Sequence, residues 1–123
     1  MSHDTDRVMA DIQAERRRQQ IEEGWTPEHD DAHADGEMAQ AAACYAHIAG
    51  SSDRVRDHER LREPHQEASS TTLIQASWPW DWKWWKPKTR RADMVRAAAL
   101  LVAEIERIDR ATVKRMADKL ASN

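Results

Sequence analysis

Fourteen residues, Gly24 to Glu37 (GWTPEHDDAHADGE), carry five carboxylates and two imidazoles and run directly into the apolar AQAAACYAHIA. A carboxylate that faces a core costs desolvation energy unless a metal, a cation or a proton compensates it. If a helix starts near Glu28, then Asp30, His33, Glu37, Ala41, Cys44 and Ile48 follow one stripe at steps of three or four. The lower part of that stripe is apolar, which leaves the upper part as a polar patch at the rim of a core. Capping and helix-dipole preferences account well for Glu28 and Asp31 near a helix start, and poorly for Glu37, which lies deeper beside Ala41 and Cys44.

Two metal chemistries are open to these residues. His29 and His33 stand at i and i+4, a spacing that lets two imidazoles share zinc, with Glu37 as a third ligand. Asp follows His29, so the stretch is not HExxH. Magnesium or manganese suits the acids better, because hard cations prefer carboxylates and keep several waters. The candidate ligands are then Asp30, His33, Glu37 and Asp93, with Glu15 as a contribution from the first helix.

A second motif, WPWDWKWWKPK (residues 78–88), holds five of the six tryptophans. Trp78, Trp80, Trp82 and Trp84 alternate, which in an extended chain puts four indoles on one face. One reading is a hydrophobic flap covering a bundle. The other is an aromatic wall on which a nucleobase stacks, worth roughly 1–3 kcal/mol per base. Lysines among the rings would meet phosphates. On this second reading the nucleotide-binding residues are Trp80, Trp82, Trp85, Lys86, Lys88, Arg90 and Arg91.

Helices must position both motifs. The chain has 123 residues, 40% apolar and 33% charged, with three Gly and no Phe, so strand signals are scarce. A first helix is expected over about Thr5 to Glu23, capped by Asp4 or Thr5 and closed by Gly24. Its apolar seam starts with Val8 and Ile12 and turns acidic through Glu15, Gln19 and Glu22. Thr26 caps a second helix with Pro27 at its first position, running to about Ala49 before Gly50. Residues 51–77 read as a variable insertion or flexible excursion, with a short helix between Asp53 and Arg62 and Leu73 and Ile74 as a small anchor. The strongest helical signal runs from Arg90 to about Arg110, capped by Thr89. Its expected core seam is Met94, Ala98, Leu101, Ile105 and Ile108, broadened by Val95 and Val102. A final amphipathic piece carries Val113, Met116 and Leu120. The expected architecture is all-α: one domain over 1–123, a bundle of about four helices with a long Trp-rich connection.

Composition excludes several classes. A net charge of -3 gives no bulk attraction for nucleic acid, so no stable nucleic-acid binding is expected. The single Cys44 excludes an internal disulfide and any multi-cysteine zinc site. No run approaches the ~20 apolar residues of a membrane span. The start MSHDTDR has neither a basic segment nor an apolar signal core. The expectation is a cytoplasmic protein without a membrane partner, and a homo-oligomer, with the final amphipathic piece available for a subunit contact.

GWTPEHDDAHADGEMAQAAACYA, then WPW…WKP, then RRADMVRAAALLVAEIERIDR resembles a set of small phage and prophage proteins. That likeness covers both ends of the chain and skips residues 51–77; it would place the protein in a host cytoplasm. A broader resemblance is to all-α nucleoside triphosphate pyrophosphatases of the MazG type, helical bundles whose facing acids hold Mg²⁺. It implies that Glu37 stands in the acidic second-helix position and Asp93 in the later metal-binding helix, as the catalytic pair. The ExxE doublet of that family is absent from the second helix here. The resulting expectation is a Mg²⁺- or Mn²⁺-dependent pyrophosphohydrolase acting on a nucleotide or dNTP. The alternatives are a non-catalytic protein sequestering a nucleotide or nucleotide-derived signal, and a helical interaction module with a Trp-rich flap.

Overall fold

A computed structural model describes residues 2–68 and 71–122, and among these there is no strand. The helices are α1 (His3–Glu22), α2 (Pro27–Asp31), α3 (Glu37–Ala49), α4 (Asp53–Arg60), α5 (Thr72–Ser77) and α6 (Arg90–Ala121), with a 3₁₀ turn at Trp82–Trp84. The all-α class expected from composition is the class observed. The long α6 is the centre of the arrangement: it packs on α3 and on α1 and also meets α2, while α3 takes α4 and α5.

Caps account for most of the boundaries. Thr26 accepts the His29 N–H with Pro27 in the first turn, and Thr89 accepts the Ala92 N–H, both as the sequence implies. Helix α1 starts slightly earlier than expected, because Ser2 rather than Asp4 or Thr5 takes the cap by accepting the Thr5 N–H. Helix α6 continues to Ala121 without a break at residues 109–112.

The second expected helix is in fact two. Helix α2 ends at Asp31, and Gly36 sits in the left-handed region at φ +87 before α3 begins. A residue with a Cβ is strained there, so Gly36 marks a true interruption of the helix. The Asp30-His33-Glu37 stripe therefore does not exist as one helical face. Downstream, Ala41, Cys44, Tyr45 and Ile48 are buried on α3.

The expected seam of α6 also lies elsewhere. Met94, Leu101, Ile105 and Ile108 are exposed, with Ile105 at 58%. The buried face instead carries Asp93, Ala97, Ala99, Leu100, Ala103 and Glu104. Small residues on α6 meet small residues on α3, which lets the two helices approach closely; at the margins Arg107 compensates the buried Glu104, and Asp93 accepts the Lys88 N–H.

The tryptophan segment closes the core rather than forming an extended strip. Trp78 and Trp85 are buried, and Trp80 and Trp82 pack partly buried against the same cluster. The 3₁₀ turn rotates Trp84 outward, to 50% exposure. Polar bonds tie residues 51–68 to this segment: the Arg62 guanidinium donates to the Trp82 and Trp85 carbonyls at 2.6 and 2.5 Å, and Trp85 Nε1 donates to Glu59 at 3.2 Å. In the following stretch Ile74 is buried as an anchor and Leu73 is exposed, while Ser69 and Ser70 lie outside the described residues.

Candidate functional site

Where α1 ends, Gly24 at φ +73 turns the chain so that Trp25 lies over α2. The Trp25 ring stacks on His29 at 5.9 Å with an interplanar angle of 3°, and meets Trp80 at 5.4 Å. His33 stands edge-on to Trp80 at 6.0 Å. These rings, with Glu23, Asp81 and the exposed Trp84, line a cleft of about 330 Å³. Lys83 and Lys86 flank Trp84, their ammonium groups 5.3 and 5.6 Å from its ring centre.

One smaller cavity shares walls with this cleft, and a further one shares a single residue with that cavity. The first shares Glu23, Trp25, Trp80 and Trp84 with the cleft and adds Lys86 and Arg96. The second shares Arg96 and is lined further by Glu15, Arg18, Lys88 and Asp93. Arg96 thus stands between an aromatic cavity and one lined by Arg18 and Lys88 together with Glu15 and Asp93.

Arg96 is held in place by several partners. It pairs with Glu15 at 3.7 Å and Glu23 at 3.1 Å, and donates to the Tyr45 hydroxyl at 3.0 Å. That hydroxyl also accepts the Lys86 N–H at 3.3 Å, which couples α3, the tryptophan segment and α6 at one point. Burial pushes the Tyr45 phenol up, against the lowering effect of Arg96. Burial also pushes the Glu15 carboxyl up, but the Arg18 hydrogen bond and the Arg18 and Arg96 charges outweigh it and leave Glu15 lowered. The hydrogen bond from Arg18 to Glu15 in turn raises the arginine. Asp93 is raised by burial, despite accepting the Lys88 N–H at 2.8 Å; its Oδ2 has no hydrogen-bond partner among the described residues.

The five metal-ligand candidates are dispersed. Asp30 is fully buried in an ion pair with Arg16 at 2.6 Å, and Arg16 also donates to the Trp25 carbonyl at 3.1 Å. Glu37 accepts the Asp35 N–H at 2.6 Å at the start of α3. His33 Nδ1 donates to the His29 carbonyl at 2.8 Å. Glu15 and Asp93 do line one cavity, but three cationic side chains share it. Among the described residues no three of His, Cys, Asp and Glu converge to hold a metal ion. The donor set of a single chain therefore does not fit Mg²⁺ or Mn²⁺, and Glu37 and Asp93 do not meet as a catalytic pair.

The nucleotide candidates divide three ways. Trp80 lines the cleft, Lys86 the small cavity beside it, and Lys88 the cavity on the other side of Arg96. Trp82 stacks on Trp78 at 6.4 Å, and Trp85, 1% exposed, has no face left for a ligand. Arg90 reaches the Ser51 carbonyl and Asp53, and Arg91 pairs with Asp11 at 2.7 Å, so neither lines the cleft. Sequence reasoning missed Trp25, Glu23 and Arg96, and left Trp84, one of the four alternating indoles, out of the nucleotide-binding set. Trp25 had a signal, an aromatic between a helix-ending glycine and a capping threonine. Arg96 had none, since nothing in its neighbours distinguishes it from a solvated helix residue. No protein-family model matches this chain, and neither does any curated protein or solved structure.

Proposed function

We propose that this protein binds a nucleotide without a metal of its own, the base lying in the Trp25–Trp80–Trp84 cleft and the phosphates toward Lys86, Lys88 and Arg96. One observation supports the reading: three indoles line the cleft, Lys86 and Arg96 line the small cavity that shares Glu23, Trp25, Trp80 and Trp84 with it, and Arg96 is also a wall of the cavity that holds Lys88. Stacking supplies sequence-tolerant affinity of roughly 1–3 kcal/mol per base. Arginine adds planar, charge-assisted hydrogen bonds to phosphate oxygens. The ligand class is a nucleotide or nucleotide-derived small molecule, consistent with a sequestering protein.

We also propose self-association. The exposed last turns of α6 carry Val113, Met116 and Leu120 among Lys114, Arg115 and Lys119, while the exposed first turns of α1 carry Val8 and Met9 beside Asp4 and Asp6. Opposite charge beside apolar side chains suits contact between the two arms of different copies.

The test is a tryptophan-fluorescence titration with nucleoside mono- and triphosphates, run beside a pyrophosphate-release assay in Mg²⁺ or EDTA. Saturable binding unaffected by EDTA, weakened about tenfold or more in Trp80→Ala by loss of a stacking surface worth roughly 1–3 kcal/mol, is the expected result. Metal-dependent pyrophosphate release, lost in Glu37→Ala, would instead establish the pyrophosphohydrolase. Absence of binding to any nucleotide, by folded protein, would remove the proposal.

A further inference from the structure

The polar side chains of the aromatic cleft are acceptors. Glu23 uses Oε1 to accept from Arg18 and Arg96, at 3.0 and 3.1 Å, and its Oε2 has no hydrogen-bond partner among the described residues. Asp81 uses Oδ1 to accept the Lys83 N–H at 2.9 Å, and its Oδ2 is likewise without one. Two histidines also line the cleft. His29 Nδ1 lies 3.3 Å from Asp30 Oδ1, and His33 Nδ1 lies 2.8 Å from the His29 carbonyl. The His29 carbonyl can only accept, so His33 Nδ1 is the donor in that contact. The donors its tryptophans can offer are indole N–H groups, and the Lys83 and Lys86 ammonium groups stand beside Trp84.

The geometry points to a purine bearing adjacent ring N–H and amino donors, the guanine edge, as the base this cleft selects. The inference rests on the nucleotide reading above. Asp81 keeps Oδ2 and the second lone pair of Oδ1, so its carboxylate can accept the ring N–H and amino group of guanine side by side, whereas Glu23 offers only Oε2 and adenine presents a ring lone pair beside its amino group. A lone pair aimed at a carboxylate is repelled, and the carboxylate stays unpaired; sites built on such hydrogen bonds discriminate strongly against analogues lacking the donor. The guanine carbonyl would meet an indole N–H.

The experiment is a fluorescence titration of the full chain with GMP, IMP, AMP and CMP at one ionic strength, in wild type and Asp81→Asn. IMP keeps the ring N–H and lacks the amino donor. GMP is expected to bind at least about tenfold more tightly than AMP, with IMP between them. Asp81→Asn, whose amide oxygen can still accept the Lys83 N–H, should narrow the GMP–AMP gap to under about threefold with an unchanged circular dichroism spectrum. Equal affinity for GMP and AMP would overturn the guanine inference and leave nucleotide binding intact. A GMP preference kept in both Asp81→Asn and Glu23→Gln would overturn the role of the carboxylates. Silence of all four nucleotides would overturn both proposals, and quenching by tetramethylammonium alone would reassign the cleft to cations.

Discussion

Asp30 shows how a residue type suited to chemistry can serve a structural purpose. Its carboxylate is fully buried, yet Arg16 at 2.6 Å compensates it and also holds the Trp25 carbonyl, so the pair fixes the turn on which the aromatic cleft is built. Removing one partner strands the other's charge in a desolvated site. Asp30→Ala is therefore expected to cost about 3–5 kcal/mol in urea unfolding, and Arg16→Met with Asp30→Leu to cost less than Asp30→Ala alone. Equal or larger loss in the double variant would show that the pair is not what the site depends on. The contrast with Glu23 is instructive. Glu23 is partly exposed, gives one oxygen to two arginines, and keeps the other beside the cleft.

At the scale of elements, the decisive feature is the break between α2 and α3. Gly36 has φ +87, and a Cβ there would meet nothing within 4 Å. Backbone strain is thus the only penalty for adding one, and Gly36→Ala is expected to destabilise by about 1–2 kcal/mol. An unchanged or raised midpoint in thermal unfolding would mean that α2 and α3 can fuse into the single helix that the residue pattern favours. The acidic turn of α1 has a comparable logic. Its seam continues through Glu15 and Gln19, because α6 presents Arg96 to Glu15 and Gln19 donates to the same carboxylate, whereas Glu22 stays near the surface with Arg18.

For the whole molecule, the stripe Met94, Leu101, Ile105 and Ile108 remains exposed on α6, opposite the alanine-rich face that α3 covers. Exposed apolar rows of this length mark contact surfaces. Sedimentation at micromolar concentration is expected to show an oligomer, and Ile105→Glu to shift it toward monomer while leaving the helical signal unchanged. A monomeric wild type would remove the self-association proposal. Among the described residues no helix is long and apolar enough to cross a membrane, so the stripe is not part of a membrane-spanning segment of that kind.

Much of the local structure was legible in the residues themselves. Thr26 with Pro27, Thr89, Gly24 and Gly50 mark helix ends by capping and turn chemistry, which act over three or four residues and need no distant partner. The all-α class and the alanine-rich second half of α3 follow from the same short-range rules. Tertiary structure alone decided which face of α6 is buried, because α3 and α1 both compete for it and close approach of small side chains prevailed over the larger apolar row. It also decided that the acids of residues 24–37 pair with arginines far along the chain, Arg16 with Asp30 and Arg110 with Asp31, instead of with one another. Charge compensation is set by distance in space, and that distance is fixed only when the helices meet.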